Sequence, residues 1–445
     1  MTVTVTDILI PEFASAERKS QVVVAIFNLS ATIVGGGVLS LPLAFSKCGV
    51  VLGTLLMIVA GIVTERSLYL LCLCARITGA TSYGEVGKIA FGKYMEYFIS
   101  LVLFVFLMFV LVGYMVLVQD IWCDIFEIVF RLESTPKPQW ILLGILLFMS
   151  PFLVQKSLHS LRYNCYVGFG SVSMLCLALC HHAFITPLPS PLLLWSTSFG
   201  DILFAFPIII LSFLSIFNVL PIQGSLIQPS RGRMLLVVDG AVGSCFALML
   251  VFGLAGYLYA GTSTDGNILQ NADIHADWMF FLGRLGCGIT VMLAMAMMLL
   301  PCRASLLEVV DVFVNGPHTV PLEVSEETPL LNTENGKARA SVSTQRPTLM
   351  DNTVVHYFTT IAIAAVCYIA AVRVPGVAVV WSLCGSFLAF LIAFILPAAC
   401  YLEIQRSHPY VVDKSPAWSA FSWFLIIASG TASIACTAQT IWSLT

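Results

Sequence analysis

Gly35, Gly36 and Gly37 stand together inside an apolar run from about Val22 to Phe45, and Pro42 follows them. Glycine costs a helix about 1 kcal/mol per position relative to alanine, and proline removes a backbone donor as well. A helix interrupted here frees N–H and C=O groups in the middle of the run. The N-terminal end of the restarting helix favours a carboxylate, and the C-terminal end of the preceding one favours a cation. With no Cβ in the way, a bound molecule reaches the backbone itself. Thr32, just before the glycines, adds a hydroxyl.

A second apolar run carries matching signals. Residues 204–228 read FAFPIIILSFLSIFNVLPIQGSLIQ, with Pro207 and Pro221 flanking Ser212, Ser215 and Asn218. The expectation is that backbone N–H groups at Gly35, Gly36 and Gly37 hold a carboxylate, while carbonyls and hydroxyls near Ser212 and Ser215 meet an amine, with Thr32 and Asn218 as further substrate-binding candidates. The competing expectation is plain packing, since glycine in a membrane helix also permits close helix approach. A matched break in a second run favours the site.

Few other residues carry chemistry. Glu65 lies inside an apolar run beside Arg66, and an intramembrane carboxylate is a candidate for ion coupling or for a local ion pair. Thr290 is a hydroxyl that could join a cation site facing the first run. Arg284 is expected in a structural ion pair or snorkelling, and Asp239 near a water-facing end. His181 and His182 fit an interfacial pair. There is no His-Glu-x-x-His, no Gly-x-Ser-x-Gly and no Gly-x-x-x-x-Gly-Lys-Ser/Thr, so nothing points to an enzyme or to ATP-driven chemistry within the chain. The 14 Cys are scattered through apolar stretches, which speaks against a disulfide framework or a zinc site. No cofactor or metal is expected, and no basic block suggests nucleic acid.

The elements that must position these residues are membrane helices. Of 445 residues, 59% are hydrophobic and 10% charged, and mean hydropathy is +0.95. The continuous apolar runs exclude the alternating segments of a barrel. At about 20 residues per span, about eleven spans are expected: 22–45, 50–75, 95–123, 140–155, 164–185, 200–227, 234–260, 278–300, 354–372, 377–401 and 418–442. With the N-terminus in the cytosol, about fifteen of the 21 Lys and Arg fall on the cytosolic side. The expected organisation is a short cytosolic segment (1–21), eight spans (22–302), a disordered cytosolic linker (303–352) and three spans (353–445). Residues 76–93 form a cytosolic loop with a short helix capped by Ser82, Glu85 standing at the capping-box position.

The interrupted spans are the first and the sixth. An offset of five inverts the second set, which makes an all-α membrane protein with a five-plus-five inverted repeat, the plan of a secondary transporter. At these residues the chain resembles the amino acid/auxin permease family, which holds the vacuolar amino acid transporters and the sodium-coupled neutral amino acid transporters. The stretches that carry the resemblance are FNLSATIVGGGVLSLP (27–42), SYGEVGKIAFG (82–92), FNVLPI (217–222) before QPSR, and GYLYAG (256–261) followed by NIL (267–269). The resemblance implies eleven spans, interrupted helices 1 and 6, and symport or antiport of amino acids, and its pattern is closest to the vacuolar branch, whose members move neutral or acidic amino acids. It also has departures. Ala31 replaces the asparagine usual in the sodium-coupled branch, Ser215-Ile216 replaces a Cys-His, and Gln223 replaces a Tyr. Loss of an oxygen at Ala31 favours a proton or a simple gradient over sodium. The alternatives are a sodium-coupled neutral amino acid symporter, and an amino acid sensor acting through a cytosolic partner; the short N-terminal segment favours transport. In the linker, EETPLL (326–331) places Glu326 four residues before Leu330 and Leu331, the pattern read by sorting adaptors. The expected address is an endosomal, lysosomal or vacuolar membrane, with the plasma membrane as alternative.

Overall fold

A computed structural model describes residues 18–130, 137–155, 164–185, 191–271, 278–315, 353–407 and 416–443. The described residues are nearly all helical; their one β-type pairing is a bridge between Ser20 and Leu226. The helices are α1 (Val22–Ile33), α2 (Leu41–Cys48), α3 (Val50–Thr78), α4 (Tyr83–Phe91), α5 (Lys93–Phe130), α6 (Pro138–Leu153), α7 (Asn164–Ile185), α8 (Phe199–Ser212), α9 (Ile216–Ser225), α10 (Arg231–Ala260), α11 (Trp278–Asn315), α12 (Thr353–Arg373), α13 (Val377–Leu383), α14 (Leu396–Ser407) and α15 (Pro416–Trp442). Among the described residues nine helical stretches are long and apolar enough to cross a membrane, and the bent pair Val22–Ile33 with Gly36–Cys48 makes a tenth. The expected fourth span is α6, which has only 16 residues and carries Pro151.

Local signals account for many of the ends. Gly49 separates α2 from α3 at φ 85, and a Cβ there would stand 2.8 Å from the Leu194 backbone, so only glycine makes the turn. Ser82 caps α4 by accepting from the Glu85 N–H at 3.2 Å. Glu85 reaches back one residue further than a capping box, to the Thr81 N–H at 2.8 Å. The chain departs from expectation at α11, which runs through Pro301 to Asn315. The first residues assigned to the linker, 303–315, are therefore helical. Residues 316–352, with Glu326, Leu330 and Leu331, lie outside the described residues.

Small residues let the spans close on one another. Phe45 of α2 packs onto bare backbone at Gly53 and Gly253, where a Cβ would come within 2.8 and 2.6 Å of its ring. Pro42 meets Gly256 in the same way, at 2.4 Å. These contacts fix α2 against α10. Gly53, Gly253 and Gly256 thus fill a packing role, and Gly36 shares it, with a Cβ there 2.7 Å from Leu117. At the far end of the sixth span, Arg18 donates to the carbonyls of Gln223 (2.8 Å) and Gly224 (2.7 Å), capping the last turn of α9.

Candidate functional site

The first span breaks where the glycines stand. Val34 leaves α1 at φ −76, ψ 75, Gly35 is extended, and a 3₁₀ turn Gly36–Ser40 leads into α2 at 48° to the first half. The Gly35 N–H turns back onto Ile33 O at 2.8 Å. The first bond of the new turn is Val38 N–H to Gly35 O at 3.2 Å, so the N–H groups of Gly36 and Gly37 precede it. The phenol of Tyr114 on α5 lies beside this turn, its oxygen 3.4 Å from where a Cβ on Gly35 would stand. A Cβ at Gly36 would stand 2.7 Å from Leu117 Cδ1 and 3.0 Å from Tyr114 Cε1. At Gly37 it would meet Ser212 Cα at an ordinary 3.5 Å.

The sixth span breaks at Phe213–Ser215, at neither of its prolines. Phe213 and Leu214 close α8 with tight bonds to Ile210 O (3.2 Å) and Leu211 O (3.0 Å), and α9 starts after Ser215. The two breaks face each other. Gly37 lies against Ser212, and the Asn218 amide donates to the Thr32 hydroxyl at 3.3 Å, which itself donates to Asn28 O at 3.0 Å.

Space opens around the breaks in two arms that share Thr32, Gly35, Gly36, Tyr114 and Met298. The larger, about 830 Å³, runs between α1, α7 and α11 and holds the polar groups of Asn164, Asn218 and Thr290. The smaller, about 500 Å³, runs between α5, α8 and α13 and is lined by Phe106, Phe217 and Trp381 among others. A further space of about 1070 Å³ continues from Thr32, Cys165, Asn218 and Met297 toward Val24 and Ser225.

Thr32, Gly35, Gly36, Gly37, Ser212 and Asn218 are thus brought to one place. The Ser212 hydroxyl is already donated to Ile209 O at 2.7 Å. Ser215 is fully buried, its Oγ has no hydrogen-bond partner, and it lines none of these spaces. Thr290 lines the larger arm with its hydroxyl bonded to Gly286 O at 2.8 Å. Glu65 is elsewhere. It pairs with Arg66 at 2.9 Å and faces the carboxyl of Asp239 on α10, in a separate pocket with Gly61 and Phe246. Asp239 is exposed, as expected, and lines the same pocket as Glu65. Arg284, 1% exposed, is ion-paired with Asp124 of α5. His182 stacks on Phe280 at 4.9 Å. Among the described residues no three His, Cys, Asp or Glu are grouped to hold a metal.

Sequence reasoning missed Tyr114, Asn164 and Trp381. Tyr114 follows Gly113 in the apolar run of α5, and a lone phenol beside a glycine is the signal available there. Asn164 looked like a span end, yet it is 6% exposed, donates to Thr290 O at 3.0 Å and leaves its Oδ1 without a partner.

A family model described as transmembrane amino acid transporter protein matches residues 18–442. The vacuolar amino acid transporter 7 of Saccharomyces cerevisiae is 24% identical over 306 residues, which cover 66% of this chain and 60% of that protein. The amino acid transporter AVT6E of Arabidopsis thaliana is 24% identical over 456 residues, covering 97% and 85%. Among solved structures, Mhp1, a nucleobase-cation-symport-1 family transporter in a closed conformation with bromovinylhydantoin bound, aligns with TM-score 0.54 over 98% of this chain and 95% of that one, at 12% identity. That likeness is one of fold.

Proposed function

The chain belongs to the transmembrane amino acid transporter protein family, and on that premise we propose that it is a secondary carrier moving amino acids across a membrane by alternating access. The observation that carries this reading is the facing pair of breaks, joined by the Asn218 to Thr32 hydrogen bond. The substrate's carboxylate meets the N–H groups of Gly36 and Gly37 at the restart of the first span. Its amine meets the carbonyl ends of α1 and α8 with the oxygens of Thr32 and Ser212. Non-helical backbone is tolerated at this depth because it lines an enclosed cavity.

Eleven spans in a five-plus-five inverted repeat belong to the same proposal, with α6 as the short fourth span. Its supports are the breaks in the first and sixth spans and the fold likeness to Mhp1. We further propose a proton or the substrate gradient as the driving force. Ala31 lines the larger arm without a side-chain oxygen, and Glu65 of α3 shares a pocket with Asp239 of α10. A vacuolar, lysosomal or endosomal membrane is the proposed address, supported by the yeast relative's name.

The test is uptake and efflux of a labelled amino acid panel by the full-length protein in proteoliposomes, with imposed pH and sodium gradients. Saturable flux raised by an acidic opposite side supports the reading. Flux requiring sodium would replace the proton by sodium, and amino acid binding without flux would make the chain a sensor.

A further inference from the structure

The smaller arm differs in chemistry from everything else at the breaks. Away from Thr32, the glycines and Ser212 at the break, its lining includes Phe106, Val110, Tyr114, Leu214, Phe217 and Trp381. Phe106 and Phe217 meet at 6.0 Å between ring centroids, and Tyr114 meets Trp381 edge-on at 6.1 Å. Among the described residues, no Asp, Glu, Lys, Arg or His lines this arm, the larger arm or the space beyond it. A charged side chain lodged there would be buried with no counter-charge, which is strongly unfavourable.

Trp381 closes the arm. It is 2% exposed, and its indole nitrogen has no hydrogen-bond partner, so packing holds the ring. The packing partner is a notch at Gly113. A Cβ there would stand 2.3 Å from Cη2 and 2.6 Å from Cζ3 of the indole. The absent methyl at Gly113 therefore sets how far Trp381 withdraws from the arm, and with it the arm's length.

We propose that this arm receives the substrate's side chain, that the substrate is an amino acid with a bulky uncharged side chain, and that Trp381, seated at Gly113, sets its size. This rests on the carrier reading above, with the amino acid's head group at the glycines. It narrows the neutral or acidic range that the sequence leaves open to one side. An acidic or basic side chain finds no partner, and a small one leaves the aromatic wall uncovered.

The experiment is competition and counterflow with reconstituted full-length protein, using phenylalanine, leucine, alanine, glutamate and lysine. Leucine and phenylalanine should compete at least about 100-fold better than glutamate or lysine. Gly113→Ala pushes the indole into the arm and should lower the ratio of phenylalanine to alanine transport by about tenfold, while Trp381→Ala should move preference toward larger side chains. Thermal unfolding in detergent establishes that each variant is folded. If Gly113→Ala is not, Trp381→Phe, which shortens the roof without crowding it, must shift the same ratio. Glutamate or lysine carried as well as leucine, or size preference unmoved in folded variants, overturns the assignment while leaving an amino acid carrier. Absence of flux and binding for every amino acid removes the carrier reading and the proposal together.

Discussion

Asn218, in the second half of the sixth span, donates its amide N–H to the hydroxyl of Thr32, the last polar residue before the break in the first span, at 3.3 Å. Each side chain therefore positions a break in the other's helix. One such bond contributes about 1 kcal/mol to stability, so its loss should leave a folded protein. Asn218→Ala and Thr32→Val should each lower the initial uptake rate about tenfold, with the double variant no worse than the poorer single one. Effects that multiply in the double variant would mean that the two side chains act separately.

The glycines make unequal demands. A Cβ on Gly37 meets Ser212 Cα at 3.5 Å, ordinary contact, whereas one on Gly36 comes within 3.0 Å of the Tyr114 ring and 2.7 Å of Leu117. Gly37→Ala should fold and retain measurable uptake. Gly36→Val, with a branched Cβ, should insert in the membrane yet lose transport, because it drives Leu117 and Tyr114 away from the wall of the break. Normal uptake by Gly36→Val sinks the placement of the carboxylate.

Both breaks lie in spans that the sequence marks as interrupted, but only one break is where its residues point. At Gly35–Gly37 the breaker residues are the break. In the sixth span Pro207 and Pro221 both sit inside helices, and the chain opens at Phe213–Ser215, which contains no helix breaker. Pro207 is instead covered by bare backbone of the tenth span, where a Cβ on Gly385 would stand 2.3 Å from the Pro207 carbonyl oxygen. That tertiary contact has no local signature. The eighth expected span stops at residue 300, yet α11 passes through Pro301 to Asn315. The apolar lengths made most spans legible; the aromatic arm was not, because Phe106, Tyr114 and Trp381 sit far apart in the sequence and read as ordinary apolar span residues.

Glu65 and Asp239 face each other across α3 and α10, with Arg66 at 2.9 Å from Glu65. A carboxylate inside a membrane span is a candidate for ion coupling. Glu65→Gln should abolish the stimulation of uptake by a pH gradient, while exchange of labelled for unlabelled substrate, which needs no net ion movement, continues. Unchanged pH stimulation in Glu65→Gln would free this pair of a coupling role. Saturable stimulation by sodium in the native chain would instead require ligands from span-one carbonyls and Thr290, without help from Ala31.

Glu326, Leu330 and Leu331 lie outside the described residues, and their role as an address is a matter of sequence alone. A tagged Leu330→Ala, Leu331→Ala double variant should move from an internal membrane to the cell surface under the microscope. Native and variant chains in the same compartment would mean that the address lies elsewhere.

Arg284 and Asp124 are paired but unequally placed, the arginine side chain 1% exposed and the aspartate 37%. Removing one partner is therefore not equivalent to removing the other. Asp124→Asn leaves a guanidinium buried with less compensation, an arrangement that costs about 3 kcal/mol or more when no other carboxylate is near. Asp120, one turn earlier on α5, also acts on Arg284 and will soften that cost. Arg284→Met removes the buried charge itself and leaves an aspartate with access to water. Thermal unfolding in detergent should thus rank Asp124→Asn below Arg284→Met. The double variant Asp124→Asn, Arg284→Met should recover part of the loss of Asp124→Asn, since it leaves no buried cation behind. If Asp124→Asn is as stable as the native chain, Asp120 alone satisfies the arginine, and a double variant Asp120→Asn, Asp124→Asn that keeps Arg284 should then expose the full cost.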